Sequence, residues 1–335
     1  MPHVMNLDVL SEFQLRYNKS TGKTHTLWPN NPYHNLEHVM NFDYSTCPSY
    51  EAKVAAIFHD ALYDPSFRYN EDAAINALRL VYEDTPESSR YYNYEKVVKL
   101  IESTKNHNLF SRDCDSDPDL AWLHSNDLKY LREKNPIKII ETEKLFFKEY
   151  QFTNFSFYVE KRKEVLNSYK DHPYVDNETI RFIGEFLDSW KPNVAVAGGS
   201  FNPFHVGHLD VIQKAERVFD KVIIAQGQNL EKPTNDYSLL TIQGIKKYEK
   251  RIYAGSLFEF LNKLNKEYPN LTLIRGLRNN DDMEQESTLN VYKEQFAPNV
   301  TSMYILSDPK FQHVSSGAIR QLEKLKLSTL GMKVL

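Results

Sequence analysis

A chain of 335 residues, 41% hydrophobic and 26% charged, can bury more than one core, which argues against large-scale disorder and makes two domains the working expectation. With 45 acidic and 41 basic residues the net charge is −4, and no long basic run is present to neutralise a phosphate backbone, so nucleic acid is not an expected partner. Cys47 and Cys114, the two cysteines, stand far apart in no metal-type spacing, which argues against a disulfide framework and suits the cytoplasm.

No apolar stretch is long enough to span a bilayer, and the opening residues carry Asp8 and Glu12 without a signal-peptide core, so neither membrane insertion nor secretion is expected. From residue 1 to about 190 the chain reads as helices. Glu51 to Leu62, Glu71 to Tyr82, Tyr94 to Ser103 and Pro136 to Tyr150 each space apolar residues at helical intervals. Only Gly22 and Gly184 precede Gly198, too few for the tight turns that hairpins need. After Trp190 the pattern changes. Lys191-Pro192-Asn193 breaks the chain, and Val194-Ala195-Val196-Ala197 runs into Gly198-Gly199 as a buried strand entering a turn. Similar runs at Lys221 to Ala225, Leu271 to Ile274 and Ser302 to Leu306 alternate with helical text, the signature of a parallel sheet with crossover helices. The expected architecture is a multi-domain chain: an all-α domain over residues 1–190, then a Rossmann-like α/β domain over residues 191–335.

The helical half holds four groups of metal-capable side chains: Tyr33-His34-Asn35-Leu36-Glu37-His38, Phe58-His59-Asp60, His107, and His124-Ser125-Asn126-Asp127. Imidazole mixed with carboxylate suits Mn²⁺, Fe²⁺, Zn²⁺ or Mg²⁺. The spacing predicts that His34 and His38 share a helix face, with His59 and Asp60 approaching from the next helix. Over about residues 30 to 150 this arrangement resembles the HD superfamily of metal-dependent phosphohydrolases. The resemblance implies that His38, His59, Asp60 and Asp127 bind a divalent metal and that a water activated by it attacks a small phosphoester. The Tyr33-His34-Asn35-x-x-His38 opening also resembles that of cyclic nucleotide phosphodiesterases, which implies that His34 protonates the leaving oxygen; Asn70, Glu71 and His107 would be pocket groups. The acidic run Asp113 to Asp119 lacks the glycine and closing glutamate of an EF-hand and reads as a solvated loop. The aromatic stretches Tyr91 to Tyr94 and Phe152 to Tyr158 have no basic interleaving and read as packing.

In the second half, the strand from Val194 delivers Gly198, Gly199 and Ser200 into a turn, and His205-Val206-Gly207-His208 opens a helix. Glycines admit close backbone approach, and unpaired amides at a helix start attract an anion. The spacing predicts both histidines on one helix face, ready to donate to phosphate oxygens. This stretch resembles the nucleotidyltransferase superfamily with its His-x-Gly-His motif. Ile274-Arg275-Gly276-Leu277-Arg278, then Asp282 and Glu286, then Val314 to Arg320 extend the likeness, in order, to phosphopantetheine adenylyltransferases of coenzyme A synthesis.

That resemblance implies AMP transfer from ATP, with Mg²⁺, to a small phosphorylated acceptor. His208 would stabilise the transition state at the α-phosphorus, His205 would bind triphosphate, and Ser200 would contact both substrates. Arg275 and Arg278 would hold acceptor and nucleotide; Ser315 and Ser316 would bind the terminal phosphates; Gly199, Phe201, Lys232, Gly276 and Glu286 would complete the site. Three positions depart from the family pattern. Glu231 precedes Lys232-Pro233 where a second lysine is usual, Gln285 replaces a tyrosine, and Gly317 replaces a serine. These bear on the acceptor, so nicotinate or nicotinamide mononucleotide remains an alternative, as does a first domain that binds metal or nucleotide without catalysis. The resemblance also implies a homo-oligomer.

Overall fold

The computed structural model describes residues 7–22, 26–87, 90–228, 238–329 and 331–334. They fall into two compact units, Met1–Glu149 with Val159–Asp188, and Tyr150–Tyr158 with Ser189–Leu335. No helix among the described residues is long and apolar enough to cross a membrane.

The first unit is helical: α1 (Leu7–Thr21), α2 (Leu36–Met40), α3 (Tyr50–Phe58), α4 (Asn70–Asp84), α5 (Tyr94–Thr104), α6 (Pro118–Asp127), α7 (Pro136–Glu149), most of α8 (Phe155–Ser168) and α9 (Asn177–Ser189). Local chemistry sets several starts. Ser49 caps α3 by accepting the Ala52 amide, Asn93 caps α5 through the Lys96 amide, and Asp117 caps α6 with Pro118 in its first turn. Val54, Ala55, Ala56, Ile57 and Phe58 are all buried, which makes α3 the centre of the core, with Leu78 of α4, Ile101 of α5 and Leu123 of α6 in the same cluster. The expected helix from Glu51 stops at Phe58, four residues short of Leu62, and His59 caps it. Asp60 therefore stands in a turn rather than on a helix face.

The second unit is a five-stranded parallel sheet in the order β3-β2-β1-β4-β5, from β1 (Asn193–Gly199), β2 (Lys221–Gln228), β3 (Glu249–Ala254), β4 (Asn270–Leu277) and β5 (Thr301–Leu306). Helices α10 (Val206–Glu216), α11 (Leu257–Glu267), α12 (Asn280–Phe296) and α13 (Ser316–Lys324) accompany the strands. Alternate residues of β1 and β2 feed opposite cores. Ala195, Ala197, Val222 and Ile224 meet Val211, Ile212 and Ala215 of α10, while Val194, Val196, Ile223 and Ala225 meet Leu261 and Leu264 of α11. Strand β3 was not expected from the sequence. Its text, Glu249-Lys250-Arg251-Ile252-Tyr253-Ala254, opens with three charges, and it survives as an edge strand because Glu249 pairs with buried Lys221 at 2.8 Å.

The same lysine explains why Tyr150–Tyr158, expected within the helical half, packs with the sheet. Lys221 Nζ donates to the carbonyls of Gln151 and Thr153 at 2.5 and 2.6 Å, and Gln151 Oε1 accepts the Val222 amide at 2.9 Å. The order of strands reverses between β1 and β4. Such a switch point opens a crevice at the carboxyl ends of the two strands, where open α/β sheets bind ligands.

Candidate active sites

In the second unit a cleft of about 320 Å³ lies at that switch point. Its lining includes Gly199, Phe201, His205, His208, Arg275, Gly276, Arg278, Glu286, Ser315 and Ser316, so ten of the expected residues meet there. Ser200 does not line the cleft; it is exposed at the turn, and its carbonyl accepts from Gln226. Lys232, with Glu231 and Pro233, lies outside the described residues.

The turn after β1 is tight. Phe201 sits at φ +47°, a conformation that side chains other than glycine adopt at a cost and that clusters at functional sites. A Cβ on Gly199 would come 3.2 Å from the Phe201 ring, so glycine lets that ring fold back under the cleft. There the ring meets His208 edge-on, with centroids 5.0 Å apart.

The two histidines lie together on one side of the helix start, although His205 stands just outside the helix. His205 is the N-cap of α10 and His208 stands three residues later. Each ring takes the other's backbone amide: His205 Nδ1 accepts the His208 N–H at 3.4 Å, and His208 Nδ1 accepts the His205 N–H at 3.3 Å. The rings stack with centroids 3.6 Å apart. Because both Nδ1 atoms accept, each neutral ring carries its proton on Nε2, which fixes the tautomer. Gly207 makes the fold-back possible, since a Cβ there would lie 3.1 Å from His205 Nδ1. Burial, with Arg278 nearby, pushes His205 down to about 4. Burial also holds His208 well below the ordinary histidine range, reinforced by His205, Arg278 and Arg275. At neutral pH both are uncharged donors.

Positive charge comes instead from β4 and the turn after it. Arg275 grips Glu286 of α12 at 2.6–2.8 Å and donates to the Gly198 carbonyl at 2.5 Å. Arg278 grips Asp282 at 2.8–2.9 Å. Both guanidiniums are thus held in place before any ligand arrives. At the far wall Ser315 caps α13, accepting the Ala318 amide at 3.0 Å, and Ser316 Oγ donates to the Pro203 carbonyl at 2.9 Å. The first turns of α10 and α13 thus begin at one cleft, with the partial positive charge of helix N-termini. Arg320 donates to the Asn202 carbonyl and so ties α13 to the glycine turn.

In the first unit, His38, His59, Asp60 and Asp127 each offer a ligand atom within 4.8 Å of all the others. His59 Nε2 is 3.0 Å from Asp60 Oδ2, and His38 Nε2 is 3.3 Å from Asp127 Oδ1. Both Nε2 atoms are buried, and their close contacts with these carboxylates lack hydrogen-bond geometry. His59 Nδ1 donates to the Ala56 carbonyl at 2.8 Å, which aims Nε2 at the carboxylates, where it would give up its proton to bind a metal. Burial opposes a charge on His59, yet Asp60 and Asp127 raise its pKa well above the ordinary value. The pocket therefore seeks a cation, and the donor set fits a divalent metal.

His34 is not on the helix of His38. It precedes Asn35, the N-cap of α2, and its ring stacks on Tyr63 at 3.8 Å, with the His38 ring 6.1 Å away. Its Nδ1 bonds Glu149 Oε2 at 2.6 Å, and the amides of Tyr33 and His34 donate to the other carboxylate oxygen at 2.7 Å. Burial opposes protonation of His34, and the Glu149 carboxylate overrides it, so its pKa is raised. Glu149 was missed from sequence. The available signal is a carboxylate beside Phe146 and Phe147 on the buried side of α7. His107 Nε2 donates to Asp127 Oδ2 at 2.9 Å. Asn70 instead holds a loop, bonding the Asp64 backbone. A cavity of about 410 Å³ opens beside His38, with Tyr33, Asn35, Lys129 and Lys138 in its wall.

Comparison with known proteins bears on the second unit. Residues 196–322 match the cytidylyltransferase-like family. The chain is similar to the phosphopantetheine adenylyltransferase of Streptococcus suis, 34% identical over 132 residues that make up 37% of this chain and 79% of that protein. It is 35% identical over 141 residues to that of Pelagibacter ubique, covering 40% and 86%, and 33% identical over 137 residues to that of Mycoplasma capricolum, covering 40% and 98%. Among solved structures it is similar to a Vibrio parahaemolyticus protein assigned as a nicotinate-nucleotide adenylyltransferase, at 18% identity and TM-score 0.31, covering 42% of this chain and 86% of that one.

Proposed function

Through residues 196–322 this chain belongs to the cytidylyltransferase-like family, with phosphopantetheine adenylyltransferases as relatives, and from that premise we propose that its second unit joins the AMP of ATP to a phosphopantetheine-like phosphate, releasing pyrophosphate. The observation that carries the reading is the meeting of His205, His208, Arg275, Arg278, Ser315 and Ser316 in one cleft. The acceptor phosphate attacks the α-phosphorus in line, and pyrophosphate leaves from the opposite side with its Mg²⁺. No protein nucleophile is needed, because positioning and charge stabilisation supply the rate. His208 donates through Nε2–H to the α-phosphate oxygens as charge gathers on them. His205 donates to the triphosphate, and Ser315 and Ser316 receive its end at the start of α13. Arg275 and Arg278, held by Glu286 and Asp282, orient the two reactants.

The acceptor is tested by incubating the full chain with Mg²⁺, labelled ATP and either phosphopantetheine or a pyridine mononucleotide. Pyrophosphate release with phosphopantetheine alone is the expected result. Release with nicotinate or nicotinamide mononucleotide alone reassigns the acceptor, and release with no phosphate ester in a wider panel overturns the reading.

The first unit we assign as an HD-type phosphohydrolase, on the convergence of His38, His59, Asp60 and Asp127, whose buried imidazole nitrogens face the two carboxylates without hydrogen-bond geometry. A divalent cation held by these four would polarise a phosphoryl group and acidify a water for attack. His34, oriented by Glu149, delivers a proton to the leaving oxygen. A phosphoester screen with Mn²⁺, run beside metal analysis, tests this. Hydrolysis that disappears in Asp60→Ala supports it; bound metal without turnover of any ester assigns the unit a regulatory role instead.

A further inference from the structure

The first unit holds a second group of buried donors, outside both sites described above. Cys114 sits in the short turn at residues 113–115, His124 in α6 and His172 between α8 and α9. Their exposures are 4%, 0% and 2%, and one ligand atom from each lies within 4.8 Å of the other two. Nothing in the spacing of two distant cysteines announces such a cluster; the set is mixed and assembles only in space.

The hydrogen bonds fix what each atom can offer. Ser103 Oγ donates its only proton to the Leu100 carbonyl at 2.6 Å, so at 2.8 Å it can only accept from His124 Nε2–H. His124 Nδ1 is therefore a lone pair, and it faces Cys114 Sγ at 3.5 Å. A ring nitrogen oriented by a bond on its far side is how metal-ligating imidazoles are ordinarily held. His172 Nε2 is buried with no partner. Its Nδ1 takes the Tyr174 amide at 3.2 Å.

We propose that Cys114, His124 and His172 form a second metal site, for one zinc-class divalent ion, separate from that of His38, His59, Asp60 and Asp127. The donor set decides the class. A thiolate with two imidazoles favours Zn²⁺ and its borderline neighbours and disfavours Mg²⁺ and Ca²⁺, which take oxygen. Burial holds both rings below the ordinary histidine range, so no imidazolium has to be discharged, but burial together with Asp113, Asp115 and Asp117 pushes the Cys114 thiol up to about 11, so the ion itself must displace that proton. Loading releases the Cys114 thiol proton to solvent and moves the His172 ring proton from Nε2 to Nδ1, opening the long contact with the Tyr174 amide.

The consequence falls on α6. His124 lies three residues before Asp127 on that helix, and His107, whose ring centroid is 4.6 Å from that of His124, bonds Asp127 directly. An ion at Cys114, His124 and His172 thus fixes the helix that presents Asp127. The proposal does not depend on the function assigned to the other four ligands.

The test is a Co²⁺ titration of the metal-free full chain, followed by the thiolate-to-cobalt charge-transfer absorption that carboxylate and imidazole ligands cannot produce. The band is expected in the wild type, in Asp60→Asn and in Cys47→Ser, where Cys114 is the sole remaining thiol. It should vanish in Cys114→Ser, and His172→Gln should weaken cobalt affinity by about tenfold or more. Absence of the band from the wild type and Cys47→Ser overturns the proposal without requiring Cys114→Ser to fold, as does a band that survives in Cys114→Ser.

Discussion

His205 has two duties that a substitution can separate. It caps α10 through Nδ1 and presents Nε2–H to the cleft. Asparagine caps helices as well as any residue but is too short to reach the triphosphate. His205→Asn is therefore expected to leave the unfolding free energy within about 0.5 kcal/mol while lowering kcat/KM for ATP by about a hundredfold or more, read by urea unfolding and steady-state kinetics. A parallel loss of stability would show that the ring serves chiefly to pack. The same residue sets a pH dependence. Its folded pKa, depressed to about 4 from 6.5, means that the unfolded chain takes up the proton first as pH falls. It therefore imposes no penalty above about pH 6.5, where the ring is neutral in both states, and costs stability progressively toward pH 4, on the order of 3 kcal/mol in all. His208, depressed in the same direction, adds to the slope. Unfolding midpoints of the second unit measured across that window should decline in the wild type and decline less in His205→Asn.

Lys221 shows how an element can depend on one charge. It is fully buried, yet its ammonium meets Glu249 on β3 and the carbonyls of Gln151 and Thr153. Removing it takes one of the two cations from Glu249, which keeps Arg251 and the Tyr268 hydroxyl, and releases the segment at residues 151–153 from β2. Lys221→Met is expected to destabilise the second unit by about 1–3 kcal/mol, because the carbonyls of Gln151 and Thr153 lose their donor while Glu249 keeps Arg251, whereas the double variant Lys221→Met, Glu249→Leu should recover part of that loss. Thermal unfolding of the three proteins decides it. If Lys221→Met matches the wild type, the pair does not hold β3 in the sheet. Elements with strong local text were legible beforehand. β1, β2, β4 and β5 fall where the apolar runs stand, and α5 and α7 fall within a residue of expectation. β3 was not legible because its partner lies on another strand.

Each unit has its own core, so the two chemistries should be separable by mutation. Asp60→Asn is expected to abolish phosphoester hydrolysis and leave adenylyl transfer within about twofold, with His208→Asn giving the reverse; paired assays on each variant decide it. A transferase that fails in Asp60→Asn would mean that the first unit controls the second.

The sequence by itself determined the two-part organisation, the parallel α/β character of the second half and the identity of most residues that line its cleft, because glycine turns, apolar periodicity and ordered motifs are local properties of the chain. Tertiary structure alone decided the rest. The capping exchange between His205 and His208, the exposure of Ser200, the hold of Glu149 on His34, and the meeting of Cys114 with His124 and His172 all depend on where separate elements come to lie. Spacing along a chain carries no record of that when the partners are a buried carboxylate or a ring nitrogen many residues away.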